Sequence, residues 1–480
     1  MMGHAWVRAH AGARVQGTNG QTSGRASRRG DDARAREARR VSAAVAALAA
    51  VALFGAAPHA QELRDPPALP RGPRVLTLEE ALALAQAQNW DVKKAEAYRE
   101  WVRGKYAEER AAALPQLALD ASVRRDSDRT MSALTGGLFP ALQDARTVDA
   151  SLTQVLFAWG KVGATVRAAR HGIASAEDQL RLYRQAARRD VTAAFYDVLL
   201  ARELESVAAE NLVQKERHQE EARNRYALGT ATDYDVLSAE VAVQNARPEV
   251  LRAENAVRAA RLRLQVLLGP EQDDVDAAGS LEGPVSAPPD YAAALATAWQ
   301  RRPDIQAQAD RVQVYEELKR IARAGDKPRL DFSASYAHKW LSFGPYAVDG
   351  PLWSAGVYLK VPLFDGLRTR GQVLEAQSDL TSAQIDLAKL RDQAAVQVRA
   401  AVDAVRESGE ILAAVSGTES QAAKLLAMAE KGYEYGVKTQ LEVEDAALNL
   451  RQARLDLARA RRDHLVARTN LKWATGTLGE

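Results

Sequence analysis

The sequence predicts a mainly α fold with a membrane β component, built as two structural repeats, each a β-hairpin plus very long coiled helices. Three observations predict it. The chain copies its own pattern once, at an offset of 213 residues near the start of each copy and 206 to 207 further on. Each copy holds a Pro-free stretch, Lys161 to Ala227 and Leu367 to Tyr435, long enough for a helix of about 100 Å at 1.5 Å per residue. Ahead of each stretch lie two short segments in which apolar residues alternate, the period of a strand.

The repeat is read from matched residues. Ala81-Leu82-Ala83 aligns with Ala294-Leu295-Ala296, Asp91-Val92 with Asp304-Ile305, and Pro115-Gln116-Leu117 with Pro328-Arg329-Leu330. Gly160 then matches Gly366, and Leu228-Gly229 matches Tyr435-Gly436. The first copy therefore holds about seven extra residues between Pro115 and Gly160, an insertion that belongs in a loop.

Residues 1–60 are expected to be an N-terminal extension and signal peptide. They carry nine Arg against Asp31, Asp32 and Glu37, a net +6, which leaves the remainder at −3 of the total +3. Arg39 and Arg40 precede the small apolar run Val41 to Ala57, and cleavage is expected after Ala60. A short membrane anchor is the competing reading, but the run falls below the ~20 residues of a spanning helix. A Pro-rich linker, 61–74, follows. The body is slightly acidic, so it has no electrostatic footprint for nucleic acid. The absence of Cys excludes disulfides, a Cys metal site and a lipidated N-terminal Cys.

Repeat 1 is assigned to 75–268, an inter-repeat linker to 269–290 and repeat 2 to 291–480. Each repeat opens with a helix, Leu78 to Ala113 and Tyr291 to Ala324; Thr77 before Glu79 and Glu80 marks the first start. Hairpins are expected at about 116–158 and 329–364, with strands near Gln116–Asp126, Arg146–Ala158, Arg329–Trp340 and Leu352–Phe364. Leu117, Leu119, Ala121 and Val123 alternate, and each strand has about the 9–11 residues that cross a bilayer at a tilt. Aromatic residues gather toward the strand ends, among them Phe157, Trp159, Trp340, Phe343, Trp353 and Phe364, as in the girdles at membrane interfaces. The long helices follow. The chain reverses at tips around Gly229 and Gly436, each able to take a left-handed C-cap, with Thr232 or Asp233 and then Thr439 placed to cap the returning helix. The returning helices, Asp233 to Leu268 and Leu441 to Ala474, cover half the outward length, so the opening helix must stack over the other half.

Four strands cannot close a barrel, and an open sheet in lipid leaves unpaired backbone groups. Copies must pool strands. Two give eight, which side chains just fill; three give twelve, which suits a conducting pore.

Several segments resemble the TolC family of outer-membrane efflux proteins: Leu76-Thr-Leu-Glu-Glu-Ala-Leu, Leu114-Pro-Gln-Leu, Leu228-Gly-Thr-Ala-Thr-Asp, Val361-Pro-Leu-Phe-Asp-Gly, and the run from Gly432 to Gly479. The resemblance covers about 75–480, and within the family the lack of a lipidated Cys leans toward the TolC type over the lipid-anchored branch. It implies a homotrimer with a 12-stranded barrel in the outer-membrane lipid of a Gram-negative bacterium and an α-helical tunnel in the periplasm. It also implies a periplasmic adaptor protein and an inner-membrane RND or ABC pump as partners, for efflux or type I secretion. By the same resemblance Tyr433 falls on a gating tyrosine and Lys438 on a tip arginine, keeping the charge but losing the bidentate fork. Glu442 and Asp445 fall on two acidic gate positions, and Asp235 on an aspartate that ties one helix pair to the other. Leu228, Gly229, Thr230, Gly436 and Thr439 fall on adaptor-facing tips. Three copies of Glu442 and Asp445 would place six carboxylates around a narrow mouth, which attracts cations. Simple capping and turn chemistry accounts for the same residues.

No enzyme is expected: there is no P-loop, Rossmann fingerprint, HExxH or Cys nucleophile. His171, His218, His338 and His464 stand apart and read as surface residues. No catalytic group, cofactor or metal is expected. A soluble periplasmic coiled-coil scaffold without a pore is the rival class.

Overall fold

The computed structural model describes residues 74–127, 129–134, 136, 142–269, 274–283, 287–343 and 346–479. The expected signal peptide and all but the last residue of the Pro-rich linker lie outside them. The elements in order are β1 (Arg74–Leu76), α1 (Leu78–Gln88), α2 (Trp90–Ala111), β2 (Gln116–Ser127), α3 (Arg129–Leu134), β3 (Leu142–Phe157), α4 (Lys161–Ala227) and α5 (Asp233–Leu268). Then come β4 (Val275–Ala277), α6 (Tyr291–Arg301), α7 (Pro303–Arg323), β5 (Arg329–Phe343), β6 (Tyr346–Lys360), α8 (Arg368–Ser416), α9 (Thr418–Glu434) and α10 (Gln440–Ala474). No described helix is long and apolar enough to cross a membrane.

Each expected opening helix is two helices. Thr77 caps α1 in a capping box with Glu80. The chain then breaks at Asn89, whose Oδ1 accepts from the Asp91 and Val92 N–H groups at 2.9 and 3.3 Å and whose Nδ2 donates to the Leu267 carbonyl at 2.9 Å. In the second repeat the break is Arg302-Pro303, because Pro has no N–H to continue a helix but fits its first turn. A glycine from the end of the same repeat seals each break. A Cβ on Gly269 would lie 2.7 Å from the Gln88 carbonyl oxygen, and one on Gly476 would lie 2.7 Å from the Arg301 carbonyl carbon, so neither tolerates a side chain.

The sheet runs β2-β3-β5-β6, antiparallel throughout. The extra residues of repeat 1 form the β2–β3 connection, which carries α3. Register and alternation give the sheet two unlike faces. Leu117, Leu119 and Val123 of β2 share one with Leu152 of β3, Tyr336 of β5 and Trp353 and Leu359 of β6. Asp120, Ser122, Ser151, Ser335 and Ser354 share the other. Leu117, Val123, Trp353 and Leu359 are exposed, and among the described residues the outer sides of β2 and β6 have no strand beside them. β6 starts earlier than Leu352 because Gly350-Pro351, a breaker in most contexts, is tolerated on an edge strand where one N–H has no ladder partner. It stops before Pro362. Trp353 therefore sits at mid-strand, and Phe364 lies beyond the strand.

The long helices have no single core. Upper α4 packs on α2 through Leu180 and Ala187 against Val92 and Ala95. Farther along, Val191, Phe195 and Val198 of α4 meet α1, α5, β1 and β4. In the second repeat, Val398, Val402 and Val405 of α8 meet α6 and α10. The expected helix Leu367 to Tyr435 is broken at Gly417. The Ser416 and Thr418 hydroxyls donate to the Ala413 and Ala414 carbonyls, competing with the backbone ladder beside a flexible residue. A parallel pair joins β1, at the end of the first expected linker, to β4 in the second, and β4 is buried along its length. Asp276 in β4 is buried and clamped by Arg202 of α4 and Arg261 of α5.

Candidate functional site at the helix tips

Both hairpin tips are built the same way. Gly229 and Gly436 have φ of 74° and 70°, the left-handed region open to glycine. That conformation lets Thr230 N–H reach the Arg225 carbonyl at 2.9 Å and Val437 N–H reach the Gly432 carbonyl at 2.8 Å, satisfying carbonyls left free at the helix ends. Thr232 and Thr439, not Asp233, then start α5 and α10. Each sits in a capping box with the acid three residues on, Asp235 or Glu442. Leu228, Gly229, Thr230, Gly436 and Thr439 are all exposed.

The boxes fix the protonation of both acids. Asp235 accepts from the Thr232 N–H and hydroxyl, both at 2.8 Å, and these bonds hold its carboxyl below the usual range. Glu442 accepts from Lys438 Nζ at 2.5 Å and from the Thr439 N–H at 2.8 Å. Lys438 first, and then the Thr439 N–H, lower its pKa to about 2. Both carboxylates stay charged at neutral pH and turn inward on their own helix starts. Among the described residues Asp235 makes no hydrogen bond to the other hairpin, so within one copy the tie between hairpins comes from another residue. Asp445, one turn into α10, is exposed and has no bonded partner among the described residues.

Arg225 makes that tie. Its guanidinium donates to Tyr433 Oη at 2.7 Å and lies 4.8 Å from the ring centroid, a hydrogen bond and a cation–π contact on one side chain. The pair borders an open cavity of about 150 Å³ between the tips, lined also by His218, Asp235, Val443 and Glu444. The sequence reading passed over Arg225, since a basic residue near a helix C-terminus is ordinary. The internal repeat held a signal: Arg225 corresponds to Gly432, so the two tips differ there.

The aromatic residues separate into two groups. Phe157 and Trp159 meet edge to face at 5.4 Å where β3 gives way to α4, and Phe364 is exposed at the corresponding junction after β6. Trp340 and Trp353 stand higher, on the apolar face. Phe343 ends β5, and its side chain lies outside the described residues. The backbone turn into the long helix is repeated too: Trp159-Gly160 and Gly366-Leu367 are both pairs with positive φ, so the structural offset there is 207 and the glycine has changed place within the pair. Among the histidines His464 is a correction. It is 2% exposed, with Nδ1 3.1 Å from Ser408 Oγ and Nε2 lacking a partner. Burial, aided by nearby Arg468, lowers its pKa. It is buried where α10 packs on α8, beside Ser408 and Gly409.

A sheet with one apolar and one polar face, continued by helices far too long for a globular domain, defines an envelope-spanning duct. The chain belongs to the outer membrane efflux protein family, which matches residues 81–270 and 294–477. The two matches start 213 and end 207 residues apart. The chain is 25% identical over 409 residues to outer membrane protein TolC of Escherichia coli, covering 82% of this chain and 81% of that one. It is 25% identical over 333 residues to outer membrane efflux protein BepC of Brucella suis, covering 69% and 72%. The CmeC outer membrane channel of Campylobacter jejuni shares the fold with a TM-score of 0.74 at 17% identity, covering 83% of this chain and 85% of that chain. The protein is an outer-membrane exit duct, not an enzyme, and its helical part is a periplasmic tunnel.

Proposed function

We propose that the protein works as a homotrimer whose four-stranded sheets close one 12-stranded barrel, and that its helix tips gate the periplasmic entrance. The observation that carries this reading is the sheet: its apolar face is exposed and both edges are open, a state that water penalises on one side and lipid at the edges. A soluble scaffold has no use for that face. In the gate, Arg225 and Tyr433 hold the two hairpins together, Lys438 and Glu442 stiffen the second tip, and Asp445 is the carboxylate left free to meet cations. Asp235 supports its own tip. The exposed turns at Leu228, Gly229, Thr230, Gly436 and Thr439 are the surface offered to a periplasmic adaptor, which couples the duct to an inner-membrane RND or ABC pump. Phe157, Trp159 and Phe364 form the membrane belt nearest the tunnel, with Trp340 and Trp353 above it, while Phe343 falls by register on the polar face. The division at 1–60, 61–74, 75–268, 269–290 and 291–480 belongs to the same proposal. Relatives named for alkaline protease secretion in Pseudomonas aeruginosa and for efflux in Brucella suis support both kinds of cargo route.

Planar-bilayer recording tests the reading. The detergent-purified protein should insert as a single pore blocked by divalent cations from the tip side, and Glu442→Ala with Asp445→Ala should weaken that block and raise the leak. No conductance from a correctly folded oligomer would overturn it; unchanged block in the variant would remove the two acids from the gate.

A further inference from the structure

Each copy leaves two flanks uncovered, one carrying β2 and α2 and the other β6 and α8. The internal repeat says how they fit. Inside one copy, β3 is the second strand of repeat 1 and pairs with β5, the first strand of repeat 2, with Thr153 opposite Ser333. Gln116 opposes Thr153 and Arg329 opposes Lys360, so first strands correspond at 213 and second strands at 207. Carrying the same junction to the open edges sets β6 of one copy against β2 of the next, with Lys360 opposite Asp120 and Tyr358 opposite Ser122.

Charge points to the same register independently. On the polar face Asp120 lies directly opposite Asp149, a like-charge pair that destabilises a sheet. Asp149 Oδ1 is buried without a hydrogen-bond partner. Among the described residues no ion pair engages Asp120, Asp149 or Lys360. The repeat-derived register brings the ammonium of Lys360 to the Asp120–Asp149 pair.

The helices agree. Inside a copy, the α4–α7 seam is pinned by Arg167 donating twice to Glu317. The corresponding positions on the open flanks are Leu374 of α8 and Gly104 of α2. Leu374 is 65% exposed, and a Cβ on Gly104 would meet nothing within 4 Å. An exposed apolar knob thus matches a gap, where the intra-copy seam is ionic.

We infer that neighbouring copies join β6 to β2 with Lys360 set on Asp120 and Asp149 of the next copy, while Leu374 seats over that copy's Gly104. This rests on the reading that copies pool their strands. Each junction is then an acid pair neutralised across a subunit boundary on the polar, lumen-side face.

Because the chain has no Cys, paired cysteines test the register without background. Tyr358→Cys with Ser122→Cys should give a covalently closed trimer under mild oxidation. Tyr358→Cys with Asp120→Cys or with Arg124→Cys, two residues off in either direction, should not. The two edges of one copy lie roughly 14 Å apart at about 4.8 Å per strand, too far for a disulfide, so any link is between copies. Native mass spectrometry of the same samples separates the outcomes. A trimer that links only through an offset pair overturns the register while the oligomer stands. A single-chain mass overturns the oligomer reading and the register with it. As a second measurement, Lys360→Asp and Asp120→Lys should each lower the temperature at which the detergent-resistant oligomer dissociates, and the double exchange should restore it. Failure of the exchange to restore it would overturn the ion pair.

Discussion

The two hairpin tips share a backbone and differ in wiring. In both, a tyrosine three residues before the turn glycine faces the start of the returning helix. Tyr226 gives its hydroxyl to Asp233 of its own turn, and that bond raises the phenol's pKa. Tyr433, its counterpart, instead accepts a hydrogen bond from Arg225 of the other hairpin. The basic residue has changed place as well. Repeat 1 has Arg225 with Ala231; repeat 2 has Gly432 with Lys438, and a Cβ on Gly432 would run into the Lys438 stem at 2.5 Å. Farther up, α4 runs unbroken, while its counterpart breaks at Gly417. The apolar contact of Ala201 and Val257 in repeat 1 becomes Ser408 and His464 in repeat 2. At the first tip the tyrosine is satisfied within its own turn. The second hairpin is held by polar contacts and carries a helix break, so under the proposed gating it is the half expected to move.

The comparison can be broken at several points. Arg225→Ala should have the largest effect. Hydrogen bonds to charged groups contribute about 1.5–3 kcal/mol, and losing about 1.4 kcal/mol of closure means about tenfold more leak. Tyr226→Phe, the matching change in the self-contained tip, should leave the leak unchanged; equal leak from both variants would erase the distinction between tips. Thr232→Ala and Thr439→Ala should each cost about 1 kcal/mol at a helix start, visible as faster amide exchange at the tip concerned. Only the second should also raise leak.

Ser408→Ala with His464→Val rebuilds the repeat 1 contact in repeat 2. His464 has a lowered pKa in the fold. Its contribution to stability is therefore present above the unfolded value of about 6.5 and is lost as pH falls through the lower folded value. The melting temperature of the natural chain should fall on acidification below pH ~6.5 by about 2 °C more than that of the double variant. Parallel curves would show that the imidazole does not titrate in the seam. The smallest effect is expected from Glu442→Gln. A carboxyl with its pKa lowered to about 2 stabilises its tip above the unfolded value of about 4.3 and ceases to as pH falls toward 2. The variant should lack that acid limb in tip-region exchange, while Asp235→Asn should remove the corresponding limb only from the first tip.

Much of this was legible in the residues. Lack of Pro gave the length of α4, alternation gave the sheet its two faces, and Gly229 and Gly436 marked the turns. Where the reading erred, the error was tertiary. Nothing local reveals that Asn89 spends its amide on the Leu267 carbonyl, or that Gly417 between Ser416 and Thr418 ends a helix. His464 looked like a surface residue because its burial depends on packing against Ser408 of α8, which lies 56 positions away in the sequence. Trp353 moved to mid-strand because Pro351 happens to sit on a sheet edge.

The sequence by itself determined the repeats, the long helices, the strand faces and the turn glycines, because each depends on periodicity or on the conformational range of single residues. Only the tertiary structure decided which side chains meet between elements: Arg225 with Tyr433, Arg167 with Glu317, Asp276 between Arg202 and Arg261. Those pairings depend on how rods of nearly identical composition are set side by side, and an offset of one helical turn along a rod leaves the local pattern unchanged while replacing every partner.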